Sequence, residues 1–110
     1  MTSDAVYRLG TAINKRNFNE FHRTLSEPFR AKSSPETLQN AFQTFIDQGI
    51  DLTLLKDIAP VFIEPPLIDV NGVLILKGYF PAEPPVTYFE MKFLYEFSRW
   101  ELYAIDISIR

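Results

Sequence analysis

The sequence contains no cysteine and only one histidine, His22, among its 110 residues. Without cysteine a chain cannot form disulfides, use a thiolate nucleophile or build a cysteine-based zinc site, and it is compatible with a reducing or an oxidising compartment. A single histidine would need several converging carboxylates to complete a metal site, and the acidic residues are not spaced that way. We therefore expect neither a metal nor a cofactor.

Long apolar runs and basic runs are also missing. No apolar run approaches about 18 residues, the length that predicts a membrane-spanning helix. The 11 basic and 14 acidic residues give a net charge of −3, which provides no electrostatic footprint for nucleic acid. We expect neither a membrane nor a nucleic acid as partner.

The first residues, Met1 to Asp4, lack the charged and then apolar segment of a secretion signal. As written, the sequence favours the cytoplasm. A protein whose native leader had been replaced by Met1 would look the same, so export stays the alternative and the localisation stays open.

Apolar residues make up 46% of the chain, and Phe alone occurs 10 times. This content is sufficient for a packed core and too high for a disordered chain. The length suits a single domain over residues 1–110. Large aromatic side chains either fill the space between helices and a curved sheet or line a pocket there.

The first half of the chain predicts three helices. The first carries an apolar stripe at helical spacing, formed by Ala5, Val6, Leu9, Ala12 and Ile13. Gly10 lies beside this stripe, where a close approach by another element would explain a glycine. The second helix is predicted from Asn17 and Glu20, which resemble a capping box, and it should end before Pro28.

The third helix has the clearest boundaries. Ser34-Pro35-Glu36 places a capping serine before a proline at the first helical position, and Gly49 is suited to the left-handed residue after the last turn. Its predicted buried stripe comprises Leu38, Ala41, Phe42, Phe45 and Ile46. Asp51 then predicts a capped short turn through Leu54-Leu55.

The second half predicts an antiparallel meander. Strands are expected over 58–63 and 67–70, followed by Asn71-Gly72, which favours a type I′ turn because both central residues need φ > 0. The return strand covers 73–80, and a proline-rich, rigid loop covers 81–85.

A long strand is predicted over 86–97, a tight reversal at Ser98-Arg99 and a last strand over 100–109. Trp100 and Leu102 are out of phase with the later isoleucines, so a bulge near Tyr103-Ala104 is needed to keep both sets on one face.

Alternation along the long strand assigns its faces. The helix-facing set should be Phe89, Met91, Phe93, Tyr95 and Phe97. The strand over 73–80 is apolar on both faces, and three helices can cover only one, so a second subunit is the expected cover. The residues predicted for this homodimer interface are Ile75, Tyr79, Tyr88 and Leu94. Asp106 should lie on the same face, paired with Lys92 or in the interface.

This order of elements resembles the nuclear transport factor 2-like (cystatin-like, α+β cone) superfamily. The resemblance is carried by Asn17-Phe18-x-x-Phe21, by the segments from Pro65-Pro66-Leu67-Ile68-Asp69 to Gly78-Tyr79-Phe80-Pro81, and by Trp100-Glu101-Leu102-x-x-Ile105-x-Ile107. The middle stretch resembles a branch of small uncharacterised bacterial proteins. The resemblance implies three N-terminal helices packed on a bent antiparallel sheet, a pocket between them, and dimers formed through the convex sheet face.

The superfamily contains isomerases, cyclases and many non-enzymatic domains, so the fold does not fix a function. An isomerase would need carboxylates in the pocket. The segment 28–32 after the second helix is cationic instead, and the helix-facing set of the long strand has no acid. The candidate pocket residues are His22, Phe93, Tyr95 and Trp100; the alternative is a surface histidine beside three core aromatics.

Three functions remain open. The first is a homodimeric, non-enzymatic domain whose cone is filled by its own Phe side chains or binds a small hydrophobic ligand. The second is a small isomerase, lyase or cyclase that uses His22 or a tyrosine, with the other catalytic residues unknown. The third is a docking module that offers the convex face to a different protein.

Overall fold

A computed structural model describes residues 2–82 and 86–110, and within these ranges the chain adopts the α+β class that the sequence predicts. The helices are α1 (Thr2–Lys15), α2 (Asn19–Arg23), α3 (Glu27–Lys32), α4 (Pro35–Ala41) and α5 (Gln43–Asp47), followed by a 3₁₀ helix (Leu52–Leu55). The strands are β1 (Val61–Phe62), β2 (Leu67–Ile68), β3 (Val73–Phe80), β4 (Thr87–Glu96) and β5 (Arg99–Ile109).

The strands form one antiparallel sheet in the order β1-β3-β4-β5, with β2 also paired to β3. The two short strands share one edge of β3: Val61 pairs with Tyr79, and Leu67 pairs with Ile75. The predicted strands over 58–63 and 67–70 are therefore present but reduced to two residues each. Glu64-Pro65-Pro66 separates them, because proline has no N–H to donate to a ladder.

The prediction of only three helices is wrong, since the second and third are each divided. Phe42 leaves the helical region at φ −107° and ψ 17° and separates α4 from α5. Its ring stacks on Phe18 with centroids 6.2 Å apart, while Ala41 of the predicted stripe is exposed. The aromatic contact explains why the helix bends here, and Ser34 and Gly49 mark its ends as predicted.

The second helix ends earlier than predicted because Leu25 forms a bridge to Leu102 of β5. Ser26 then caps α3, with its Oγ accepting from the N–H of Phe29 at 3.3 Å, so Pro28 opens a helix rather than following one. The predicted capping box does not form. Asn17 accepts from the N–H of Asn19 instead, and the Glu20 carboxylate pairs with an arginine.

The type I′ prediction at Asn71-Gly72 is also wrong. Only Gly72 has a positive φ, and the N–H of Gly72 donates to the carbonyl of Asp69, so the loop spans three residues. The turn with two positive φ values is Phe97-Ser98, at 53° and 65°, between β4 and β5. The predicted loop 81–85 is described only at Pro81 and Ala82; residues 83–85 lie outside the described ranges.

The predicted bulge in β5 is confirmed at Tyr103. Lys92 pairs with Ala104 and Phe93 pairs with Leu102, so Tyr103 is the additional residue. The bulge keeps both halves of β5 on the helix-covered face, where the core gathers Leu76, Phe80, Phe89, Met91, Phe93, Leu102 and Ile107 with the helices. Phe62 of β1 pairs with Gly78 and lies on this same sheet face. Its ring centroid is 6.1 Å from that of Phe89.

The close approach predicted at Gly10 is confirmed. A Cβ at this position would lie 2.8 Å from the backbone nitrogen of Thr53, so only glycine lets the 3₁₀ helix pack this closely on α1. Asp51 joins the two elements, since its Oδ1 accepts from the N–H of Thr53 at 3.0 Å and from Nδ2 of Asn14 at 2.9 Å. Hydrogen bonds from Thr53 and then from Asn14 lower the pKa of the Asp51 carboxyl below its usual value.

Replacing Asp51 with alanine should therefore destabilise the protein by about 1 kcal/mol at neutral pH, the typical effect of losing a helix cap. The pKa of Asp51 is lower in the folded state than in the unfolded state. Its carboxylate therefore stabilises the protein fully at pH values above the ordinary pKa, and this stabilisation is lost as the pH falls through the lowered pKa. Urea unfolding at neutral and acidic pH should show the difference between wild type and Asp51→Ala shrinking in acid. Asp57→Ala is the control, and an equal loss in both variants would contradict the assignment.

Candidate functional site

The four predicted pocket residues do not meet in one place. His22 is half-buried on α2, and its Nε2 lies 3.4 Å from the carbonyl oxygen of Arg30. Phe93 is a core residue of β4, 4% exposed, and Trp100 is half-buried at the start of β5. Within residues 2–82 and 86–110, no carboxylate hydrogen-bonds to His22 to orient it as a base.

Tyr95 and Phe97 do not face the core as predicted, since they are 57% and 71% exposed. They lie at the tip of the β4–β5 hairpin, beyond the strand positions that pack on the helices. Tyr95 is directly opposite Trp100, and the two rings meet at 5.2 Å and an interplanar angle of 64°. Alternation assigned Tyr95 to the correct face, but the face is not covered at that end.

The space between the helices and the sheet is occupied by side chains. Those less than 2% exposed include Leu9, Phe18, Leu25, Leu52, Phe80 and Met91. They come from α1, the residues on either side of α2, the 3₁₀ helix, β3 and β4, so both the helical layer and the sheet contribute to the filling. These side chains fill the centre of this space, and a cleft of about 330 Å³ remains between α3, α4 and β5.

A cleft of about 280 Å³ lies where α1 and α2 meet the β4–β5 hairpin, and we call it the hairpin cleft. Its apolar lining consists of Ala5, Phe21, Phe93, Trp100 and Leu102. Phe93 and Trp100 are thus the two predicted pocket residues that the structure brings together, while His22 and Tyr95 do not line the cleft. A larger cleft of about 450 Å³, between α1 and α2, shares Arg8, Phe21 and Thr24 with it.

Charged residues surround the hairpin cleft. They are Arg8, Arg23, Arg99, Asp4 and Glu101. The Nε of Arg99 donates to Oε1 of Glu101 at 2.9 Å, and the side chain of Glu101 is only 7% exposed. Arg23 pairs with Glu20 in an exposed ion pair, whereas Arg8 has no ion pair among the residues that the structure describes.

The four predicted interface residues share the sheet face opposite the helices. The register pairs Tyr79 with Tyr88 and Val73 with Leu94; Val73 is buried, and the other three side chains are half-buried. We call this surface the outer sheet face; it comprises Val61, Leu67, Val73, Ile75, Lys77, Tyr79, Tyr88, Glu90, Lys92, Leu94, Glu96, Arg99, Glu101, Ala104, Asp106 and Ser108.

The charges on the outer sheet face are incompletely paired. Lys77 lies 3.9 Å from Glu90 and 4.0 Å from Glu64. Asp106 is opposite Glu90, a juxtaposition of like charges. The predicted pair between Asp106 and Lys92 is not formed, and neither residue has an ion pair in the described part of the chain.

The described ranges contain no group of three or more His, Asp or Glu side chains arranged to hold a metal ion. They also contain no helix with the length and apolar character needed to cross a membrane.

In comparisons with protein-family models, curated proteins and solved structures, no family, relative or structural neighbour matches this chain. The functional argument therefore depends on its own geometry.

Sequence reasoning did not find the charged rim of the hairpin cleft. Asp4 and Arg8 are one helical turn apart, and Arg99 follows a tight reversal, so each looks like an ordinary surface residue. Only the packing of α1 against the far end of the chain brings them together, and no local pattern encodes that contact.

Proposed function

We propose that this chain is a nuclear transport factor 2-like domain without enzymatic activity, and that it forms a homodimer through the outer sheet face. The observation that carries the proposal is an apolar patch of Ile75, Tyr79, Tyr88 and Leu94 on a sheet face that no helix of the described chain covers. The cone is proposed to be structural, with its interior filled by aromatic and aliphatic side chains.

The composition of the outer sheet face supports this role. Tyr79 and Tyr88 lie side by side with ring centroids 5.6 Å apart, and the guanidinium of Arg110 lies 4.5 Å above the ring of Tyr88. Tyrosine and arginine are the residue types that dominate binding energy at protein interfaces. Val61 and Leu67, 40% and 59% exposed, extend the apolar surface to the sheet edge.

A second copy of the chain fits this surface better than an unrelated partner. In a two-fold interface each residue pair occurs twice, so a surface with separate unpaired charges of both signs can complement itself. Lys92 and Asp106 provide one charge of each sign. Three strands of 8, 10 and 11 residues and the short edge formed by β1 and β2 present about 540 Å² in plan, about two thirds of the roughly 800 Å² that each partner of a standard interface contributes.

The isomerase alternative has less support. The ring of His22 faces a backbone carbonyl, and the segment 28–32 forms the cationic helix α3 rather than supplying a carboxylate. The helix-facing residues of β4 remain aromatic or aliphatic. General acid–base chemistry needs a titratable group within reach of a bound substrate, and His22 does not line the cleft between α3, α4 and β5.

The oligomeric state tests the proposal. Wild type should be a dimer in sedimentation and in native mass spectrometry, at twice the 12.8 kDa chain mass. Leu94→Glu should weaken the dimer by more than about tenfold, because it buries an unpaired carboxylate in the interface.

Leu54→Glu is the matched control, since Leu54 is 75% exposed and lies outside the outer sheet face. Ile75→Lys provides an independent second variant, and thermal unfolding checks that each folds. A monomeric wild type would contradict self-pairing and favour docking to a different protein. A dimer that neither variant weakens would show that the interface lies on another surface of the protein.

A further inference from the structure

We propose that the hairpin cleft binds a small organic acid, with a flat apolar body against Trp100 and a carboxylate held by Arg8 and Arg23. Arg8, Arg23 and Trp100 lie outside the outer sheet face, so this inference is separate from dimer formation. It rests on the apolar floor of the cleft, the distribution of charge around it and its volume.

The floor of the cleft is rigid and apolar. Phe21, Phe93 and Leu102 are 2%, 4% and 6% exposed, so each is anchored in the core and presents only its edge to the cleft. Trp100 retains more exposed surface, and its ring is held by the edge-on contact with Tyr95. An aromatic ring that is held in place offers contact area at little entropic cost, which suits a planar ligand.

The rim provides positive charge in a chain whose net charge is −3. Three of its five charged residues are arginines. Arg8 has no ion pair within the described ranges, and the pair of Arg23 with Glu20 involves side chains 69% and 82% exposed, which a ligand can displace at little cost. Arginine is the side chain best suited to hold a carboxylate through two parallel hydrogen bonds.

The two acids of the rim determine where the negative group of a ligand can lie. Glu101 is buried and its carboxylate pairs with Arg99, so the charge of Arg99 is already neutralised and does not attract a ligand carboxylate. Asp4 lies on α1 one turn before Arg8 and is exposed. The carboxylate of a ligand is therefore directed toward Arg8 and Arg23, on the helical side.

The volume limits the size of the ligand. At about 280 Å³ the cleft lies just below the range of typical small-molecule pockets, about 300 to 1,000 Å³. A monocarboxylic acid with one ring fits this volume, and a polycyclic ligand does not.

Trp100 is the only tryptophan of the chain, so its fluorescence reports directly on the cleft. Titration with phenylacetate should change the emission of Trp100 in a saturable way, with a Kd of about 1 mM or tighter for a ligand of this size. The neutral analogue phenylacetamide should bind at least about tenfold more weakly, because it lacks the charge that the arginines hold.

Arg8→Gln and Arg23→Gln should each weaken phenylacetate binding by about three- to tenfold while leaving phenylacetamide binding unchanged. Arg16→Gln removes the same charge outside the cleft and should change neither. Three outcomes would overturn the proposal: no saturable change in emission, equal binding of acid and amide, or acid binding that neither cleft variant weakens. Because Arg8 and Arg23 are exposed, both variants should retain the wild-type Tm, and none of these readouts depends on the dimer.

Discussion

Gly78→Ala is expected to lower the free energy of unfolding by at least about 3 kcal/mol, a large effect for a single added methyl group. A Cβ at Gly78 would lie 2.1 Å from the carbonyl oxygen of Val61 and 3.0 Å from the Cα of Phe62. Both atoms belong to the backbone of β1, so no rotation of a side chain can relieve the overlap. Either β1 moves by more than 1 Å or its pairing with β3 is lost.

Urea unfolding measures this effect, and the chain provides a control with the same substitution. Gly49 has a φ of +65° and no atom within 4 Å of a Cβ, so Gly49→Ala should cost only the backbone strain of about 1 kcal/mol. Amide exchange should also show loss of protection where Ile63 donates to the carbonyl of Lys77. Equal effects of the two substitutions would contradict the tight approach of β1 to Gly78.

The second large effect is expected at Phe18, whose replacement by alanine should destabilise the protein by about 3 to 5 kcal/mol. Phe18 is 1% exposed and makes an edge contact with Phe21 at 6.1 Å and a stacked contact with Phe42 at 6.2 Å. Removing the ring leaves a cavity between α2 and the bend that joins α4 and α5. Phe21 and Phe42 then lose the ring that both of them contact.

Phe97→Ala is the matched control, because Phe97 is 71% exposed at the hairpin tip and should lose less than about 0.5 kcal/mol. Both variants are measured by urea unfolding, and the slope of each transition is compared with that of wild type. A loss at Phe18 no larger than that at Phe97 would show that the interior is not packed around this ring.

Local chemistry in the sequence predicts much of the fold. The apolar alternation along β5 changes phase, and a regular strand cannot keep both halves on one face, so a bulge is predicted and occurs at Tyr103. The start of α4 is predicted by Ser34, which caps a helix that begins at Pro35. These features depend on residues a few positions apart. The same is true of Gly49, which ends α5 in the left-handed region.

The errors arise where distant packing overrides a local preference. Asn71-Gly72 favours a type I′ turn, but the side chain of Asp69 accepts from the N–H groups of Asn71 and Val73 and stabilises a longer loop. The two left-handed residues occur instead at Phe97-Ser98, where strand pairing requires them despite the absence of glycine. Phe42 breaks a helix to reach Phe18, which lies just before α2.

The candidate site was less predictable than the fold. Phe93 and Trp100 were identified from alternation and aromatic character, and both line the hairpin cleft. The arginines that give the cleft its charge come from α1, α2 and β5, which are far apart in the sequence. Their juxtaposition depends on the bridge between Leu25 and Leu102, and a short bridge of this kind has no sequence signature.

The split edge formed by β1 and β2 has a consequence for solubility. Val61, Phe62, Ile63, Leu67 and Ile68 form an exposed apolar edge of the kind that recruits further strands into aggregates. Pro65 and Pro66 interrupt this edge with two positions that cannot donate a hydrogen bond, and Glu64 adds a charge beside them. A foreign strand can pair with only two residues before it meets the interruption, so growth of the sheet from this edge is disfavoured.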